Sequence, residues 1–304
     1  MYSLEWFFVA VAAIVGAGVI GISWARLFGA VGWEVRVSDP RPDLQDVLDQ
    51  HLAGLPVTAS ADLAEAAADA DFVQESGPER IPVKEEMFAT LAAHTRDDVV
   101  LASSSSSLLP SVIAKGNPAA DRMVIGHPFN PPELMPLVEV VPGPETSVRS
   151  VDRAMAVYQE LGKVPIRLKK EIPGFVGNRL QKVLDDQAAY LVQQGVIDVA
   201  DLDDLVRASL GLRYATIGPF QSGVLGGGPE GIRRLVTHVA SQMTFETGEP
   251  DPAGMERVLD EVEQTYGTGE AAYERLAELR DNRTRAVLGL LGWPEPPATA
   301  DEGE

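Results

Sequence analysis

His127 closes the strand-like run Met123-Val-Ile-Gly126 and opens Pro128-Phe-Asn-Pro-Pro132, a segment too rich in proline to continue a sheet. In an open α/β sheet, ligands bind just beyond the carboxyl ends of the strands, so an imidazole there is placed to act as a base. Twelve residues later Glu139 sits within the apolar run Leu137-Val-Glu-Val-Val141. A carboxylate buried in such a run needs a partner. Two readings are open at Glu139: it pairs with His127, fixing the tautomer and raising the basicity of the ring, or it is a surface acid on an edge strand. A run of five serines, Ser103 to Ser107, follows another strand-like stretch, Val99-Ala102. It reads either as a polar loop or as hydroxyls facing a reacting alcohol. Without a GxSxG elbow it does not indicate a nucleophilic serine.

A second group of residues implies a ligand. Gly16, Gly18 and Gly21 end the apolar run that includes Ala13-Ile-Val15 and, with Val19 and Ile20 between them, open the helical pattern Ile22-Ser-Trp-Ala-Arg-Leu-Phe28. One glycine permits the tight turn, one lets the backbone approach a pyrophosphate, and one lets helix and strand pack closely. Asp39 follows Gly21 by 18 residues, at the end of Glu34-Val-Arg-Val-Ser38. That position suits an acid holding the adenosine ribose hydroxyls. Its charge favours NAD over NADP, although Arg36 and Arg41 are close enough in sequence to weaken the preference.

These groups must be held by an α/β Rossmann-type, doubly wound parallel sheet. Strands are expected at Ala12–Val15, Glu34–Ser38, Phe72–Glu75, Val99–Ser103, Met123–Gly126, Leu137–Val141 and Val164–Leu168. Helices alternate with them at Leu63–Ala70, Val83–Ala93 and Val148–Leu161. From Pro173-Gly174 the strand signals stop. Helical spacing then covers Phe175–Val192, Val199–Leu210, Glu230–Phe245, Met255–Tyr266 and Ala271–Leu291. The expected division is a cofactor domain over residues 1–172, an all-helical domain over 173–293 for substrate and dimerisation, and a disordered acidic tail over 294–304. Residues Met1 to Ala10 form a leader with no assigned role.

Composition narrows the class. A net charge of −20 over 304 residues argues against nucleic acid and anionic membranes as partners. The apolar run from Trp6 to Ile22 lacks a basic flank and contains the glycine turn, so it reads as a buried strand rather than a signal or a membrane span. The absence of cysteine excludes disulfides and thiolate chemistry and is compatible with a cytoplasmic location. His51, in a short polar connection, His94, near a helix end, and His238, within a helical pattern, have structural contexts. No two histidines stand at metal-ligand spacing, so no metal is expected.

Taken in order, these segments resemble the L-3-hydroxyacyl-CoA dehydrogenase family, in particular its branch acting on free hydroxy acids, the L-gulonate 3-dehydrogenases (lambda-crystallins) and L-carnitine dehydrogenases. The carrying segments are Gly16-Ala-Gly-Val-Ile-Gly21, Gln74-Glu-Ser-Gly-Pro-Glu-Arg80, the serine run through Ser111, His127-Pro-Phe-Asn-Pro-Pro132, Pro136-Leu-Val-Glu-Val-Val141, Lys170-Glu-Ile-Pro-Gly-Phe-Val-Gly-Asn-Arg-Leu180 and Gly211-Leu-Arg-Tyr-Ala-Thr-Ile-Gly-Pro219. The resemblance covers most of residues 12 to 235.

The resemblance implies that His127 is the catalytic base, Glu139 the acid that orients it, Ser106 the hydroxyl on the reacting oxygen, and Asn178 the amide that completes the site. It implies Glu79 and Lys84 as a cofactor-side pair, Ser104 beside the nicotinamide, and Asn130 as an outer contact. The reaction implied is reversible oxidation of an L-3-hydroxy substrate by NAD in a homodimer. One departure concerns the substrate. The acyl-CoA enzymes carry a long basic helical insertion after the second strand, whereas the link Pro40–Pro56 here is short and holds Asp43, Asp46 and Asp49. A small free hydroxy acid is therefore favoured. The tracts Gln74-Glu-Ser-Gly-Pro-Glu-Arg80 and Gly226-Gly-Gly-Pro-Glu-Gly-Ile-Arg233 resemble the carnitine enzymes, and Asn178 with Gly211-Leu-Arg-Tyr-Ala215 the gulonate enzymes. Arg213 is either a carboxylate clamp or a surface arginine. Two other readings compete: a CoA-thioester dehydrogenase, and a noncatalytic, crystallin-like NAD-binding protein.

Overall fold

The computed structural model describes residues 9–293; the first eight residues and the tail 294–304 lie outside them. Eight strands form one sheet: β1 (Val11–Val15), β2 (Glu34–Ser38), β3 (Val57–Ser60), β4 (Phe72–Glu75), β5 (Val100–Ser103), β6 (Met123–Pro128), β7 (Leu137–Pro142) and β8 (Val164–Arg167). Their order is β3-β2-β1-β4-β5-β6-β7-β8. All neighbours run parallel except β6 and β7. The order reverses between β1 and β4, the topological switch point at which such sheets bind ligands. Register aligns Ser38, Val15, Glu75 and Ser103 across the carboxyl ends of β2, β1, β4 and β5.

Alternation along the strands builds a core on each face. Ala12 and Ile14 of β1 join Trp24, Phe28, Val35, Val37, Phe72 and Tyr158 on one side. Ala13 and Val15 join Val73, Phe88, Leu91, Leu101 and Ile125 on the other. The flanking helices are α1 (Val19–Ala30), α2 (Leu44–His51), α3 (Leu63–Ala67), α4 (Ile81–His94), α5 (Pro110–Ile113) and α6 (Val148–Glu160). Trp24 and Phe28 lie one turn apart on α1 and are wholly buried. Truncating such an aromatic to alanine costs roughly 3–5 kcal/mol. Gly32, at φ +88, ends this helix in the left-handed conformation that glycine tolerates. Asp62 caps α3, its carboxylate accepting from the N–H groups of Ala64 and Glu65.

By contact, the described residues divide into two units: one of 9–176 together with 284–293, the other Gly177–Arg283. The second contains α7 (Gly177–Gln193), α8 (Val199–Val206), α9 (Leu212–Thr216), α10 (Pro219–Gly226), α11 (Ile232–Arg234), α12 (Met255–Tyr266) and most of α13 (Glu270–Leu291). It has no strand among the described residues.

Three expectations need correction. The link Pro40–Pro56 contains α2, in which Leu44 and Leu48 bury one face among acids, so His51 ends a helix rather than lying in a polar connection. The edge strand β3 was not anticipated, because only four residues pair and none is fully buried. Glu230–Phe245 is not one helix. Gly231 sits at φ +72, a π turn spans Leu235–Val239, and the Thr237 and Ser241 hydroxyls donate to carbonyls four residues back. Such bonds compete with the helical ladder.

Candidate active site

The glycine turn leaves β1 at Gly16, whose φ of +97 suits glycine. A Cβ there would lie 2.7 Å from the Ser76 carbonyl oxygen, and one at Gly21 would lie 1.9 Å from that of Gly16. Above Gly18 there is open space for 4 Å. No side chain caps the first turn of α1, so the N–H groups at Val19 and Ile20 end a positive helix terminus prepared for an anion. Asp39 accepts from the backbone N–H of Ala17 at 2.7 Å and of Arg41 at 3.0 Å, which fixes its carboxylate against the turn. Arg41 pairs with Asp43 and Arg36 with Glu34. A cavity of about 890 Å³ runs past Gly16, Gly18, Asp39, Leu63, Ser76 and Met87. The residues present fit an adenine dinucleotide: an open glycine cradle, a fixed acid and an apolar wall.

Next to it, a second cavity of about 240 Å³ is lined by Ile20, Ser76, Gly77, Glu79, Lys84 and Ser104 to Ser107. The two share Ser76 and Gly77. Lys84 and Glu75 are completely buried and meet at 2.8 Å through both carboxylate oxygens, and the Ser103 hydroxyl donates to Glu75 at 2.6 Å. The Glu79–Lys84 pair read from the sequence is thus the looser one, at 3.5 Å. Glu79 has a different task. Its Oε1 accepts from the hydroxyls of Ser105 and Ser107 and the N–H groups of Ser106, Ser107 and Leu108, which gathers the serine run into a defined loop. Burial raises the Glu79 pKa, but the Ser105 hydroxyl, the Ser107 N–H and Lys84 outweigh it and bring it down to about 2.

Ser104 lies at the centre of a network that sequence reasoning missed. Its Oγ accepts from Trp24 Nε1 at 3.1 Å and from Gln74 Nε2 at 2.8 Å, and lies 2.9 Å from Ser76 Oγ. Gln74 in turn accepts from the Tyr158 hydroxyl at 2.7 Å. Burial pushes the pKa of this hydroxyl far above its usual value, so it remains a donor. A Cβ on Gly126 would collide with the Tyr158 hydroxyl, so a glycine must precede His127. The available signal was the pair Gln74-Glu75 ending a buried strand, where polar groups need partners.

His127 and Glu139 face each other across the antiparallel β6–β7 pair, with Nδ1 2.9 Å from Oε2. Both are buried, at 4% and 2% exposure. The second oxygen, Oε1, accepts the Val176 N–H at 2.9 Å. The surface-acid reading of Glu139 is therefore excluded. The carboxylate requires a proton on Nδ1, which leaves the Nε2 lone pair as the basic site. The ring lies beside Phe129 and Phe175, with centroids at 5.9 and 5.3 Å. Phe175 is fully buried at φ +48, a strained position for a side-chain residue, and this turn directs the next amide to Glu139. His127 extends two residues beyond Ile125, the partner of Ser103, so base and serine loop share one edge of the sheet.

Of the remaining residues, Ser106 has its backbone held by Glu79. Asn178 stands half-buried in the first turn of α7. Asn130 is exposed and has no hydrogen bond among the described residues. Arg213 on α9 is exposed, with no ion pair among those residues. His51 offers only its carbonyl, to Arg26; His94 bonds the Thr90 carbonyl, and His238 the Thr237 hydroxyl. Among the described residues no cluster of three or more potential ligands could hold a metal, and no helix is long and apolar enough to cross a membrane.

The chain is similar to known dehydrogenases. The NAD binding domain of 3-hydroxyacyl-CoA dehydrogenase matches residues 45–172, and its C-terminal domain residues 174–275. An L-carnitine dehydrogenase from Pseudomonas sp is 36% identical over 299 residues, 92% of this chain and 93% of that protein. A 3-hydroxyacyl-CoA dehydrogenase from Gibberella moniliformis is 44% identical over 238 residues, 72% of this chain and 74% of that one. Among solved structures, an NAD+ dependent dismutase, 5-formyl-3-hydroxy-2-methylpyridine 4-carboxylic acid 5-dehydrogenase, superposes with a TM-score of 0.79 at 25% identity, covering 94% of this chain and 99% of its own. The chain belongs to the 3-hydroxyacyl-CoA dehydrogenase family, as an NAD-dependent dehydrogenase acting on a CH–OH group.

Proposed function

We propose that the chain oxidises the 3-hydroxyl of a free L-3-hydroxy acid, of the L-carnitine kind, to the 3-oxo acid. The observation that carries this reading is the buried His127–Glu139 pair on the sheet edge that also holds the glycine turn. Glu139 keeps Nδ1 protonated, and Nε2 takes the hydroxyl proton as the C–O bond becomes a carbonyl. Bound NAD supplies the acceptor for the C3 hydride. Ser106, on the loop clamped by Glu79, and Asn178 hold the developing carbonyl oxygen. Ser104 and its network form the wall beside the nicotinamide, with Lys84 and Glu79 on the cofactor side. Arg213 is suited to grip a substrate carboxylate.

The first domain, residues 1–172, holds the cofactor, and residues 173–293 serve substrate and dimerisation. The second unit exposes many large apolar side chains, including Phe220 at 81%, Leu212, Leu225 and Phe245, which favours a homodimer. Sedimentation at twice the mass of one chain is expected, and a single-chain mass would contradict it. A cysteine-free chain needs no oxidising compartment, and we assign it to the cytoplasm.

The test of the mechanism is His127→Asn, which should lower turnover roughly 10²–10⁴-fold while NADH affinity stays nearly intact. Undiminished turnover would remove His127 from the chemistry. A thioester substrate is the second reading, favoured by the 44% identity to a 3-hydroxyacyl-CoA dehydrogenase.

A further inference from the structure

We propose that Ser76 is a cofactor-binding residue whose hydroxyl proton is aimed, by a polarised chain of hydrogen bonds, at an oxygen of the nicotinamide-side ribose of NAD. The proposal rests on the dinucleotide lying across the Gly16–Gly21 turn.

The chain begins at Tyr158, completely buried, whose hydroxyl donates to Gln74 Oε1 at 2.7 Å. With its oxygen so engaged, the Gln74 amide turns its N–H to Ser104 Oγ at 2.8 Å. The Trp24 indole, a donor only, gives Ser104 Oγ a second hydrogen bond at 3.1 Å. A hydroxyl oxygen has two lone pairs, and both are now used. The Ser104 proton is then left to donate, and the acceptor in reach is Ser76 Oγ at 2.9 Å. Ser76 therefore accepts from Ser104 and must send its own proton elsewhere. Its hydroxyl has no other partner among the described residues.

Position selects the ligand atom. The Ser76 backbone is seated on the pyrophosphate turn: its N–H donates to Val15, and its carbonyl lies against Gly16. Ser76 lines both cavities, between the adenosine side marked by Asp39 and the side marked by Ser104 to Ser107. A dinucleotide running from one to the other brings the ribose beyond the pyrophosphate to this point. Ribose oxygens accept hydrogen bonds, and a neutral donor there contributes a modest gain.

The experiment titrates ADP, ADP-ribose and NADH against the wild-type chain, Ser76→Ala and Tyr158→Phe, using calorimetry, with folding of each variant checked by thermal melting. Wild type should bind all three. Ser76→Ala should weaken ADP-ribose and NADH alike, by roughly 3–10-fold, and leave ADP unchanged, since ADP lacks the second ribose. Tyr158→Phe should reproduce that pattern from outside the cavity, because Gln74 loses the donor on its oxygen, can flip, and then draws the Ser104 and Ser76 protons inward. Unchanged ADP-ribose affinity in Ser76→Ala, an equal loss for ADP, or a loss confined to NADH would overturn the ribose assignment. Full affinity in Tyr158→Phe would overturn the polarised chain. Failure of wild type to bind any of the three would overturn the nucleotide site itself, and the proposal with it.

Discussion

The backbone N–H of Val176 donates to Glu139 Oε1 while His127 Nδ1 meets Oε2, each at 2.9 Å, so hydrogen bonds reach both oxygens of this buried carboxylate. An acceptor-only group meets that demand, and an amide cannot. In Glu139→Gln the NH₂ must face either the Val176 N–H or the imidazole. Facing the imidazole, it forces the proton from Nδ1 to Nε2 and removes the base. The variant should lose roughly 10²–10⁴-fold in kcat/KM with NADH affinity unchanged. Steady-state rates and fluorescence titration check this, and wild-type rates would contradict the orienting role.

Asp39 serves both the turn and the ligand. Its oxygens accept from Ala17 and Arg41, which uses two of about four lone-pair sites and leaves the rest for ribose hydroxyls. Asp39→Ala should weaken NAD and narrow its advantage over NADP, since the negative charge that repels a 2′-phosphate is gone. The ratio of the two dissociation constants is the readout. An unchanged ratio would assign Asp39 to the turn alone.

Glu79 makes the serine loop sensitive to acid. Its pKa in the folded chain is about 2, below its ordinary 4.5, so the unfolded chain takes up this proton first as the pH falls. The stabilisation is complete above about pH 4.5 and is lost as the pH drops toward 2. Glu79→Gln should melt lower than wild type at neutral pH, and the gap should close through that window. A gap independent of pH would show that the carboxylate charge does not hold the loop.

Much of the architecture was legible because burial and chemistry leave different marks. Continuous apolar runs reported β1, β5 and β6, and the glycine spacing with Asp39 reported the switch point. His127 was recognisable because proline stops the sheet directly after it. Glu139 was ambiguous alone, since a strand pattern does not say whether an acid on it finds a partner, and only the antiparallel register joined it to His127. Glu75, Ser76 and Tyr158 were not singled out because their roles depend on contacts between residues 9 to 84 positions apart. The short edge strand β3 and the broken helix after Gly231 escaped because local hydroxyl bonds and half-buried edges leave weak periodicity.

The most direct test of the proposed activity is NADH formation, followed by its absorbance, with L-carnitine, L-gulonate, L-3-hydroxybutyrate and L-3-hydroxybutyryl-CoA offered in parallel. Turnover of a free hydroxy acid is expected, abolished or nearly so in His127→Asn. Turnover of the thioester alone would contradict this expectation and show that the acidic segment carrying Asp43, Asp46 and Asp49 does not exclude CoA.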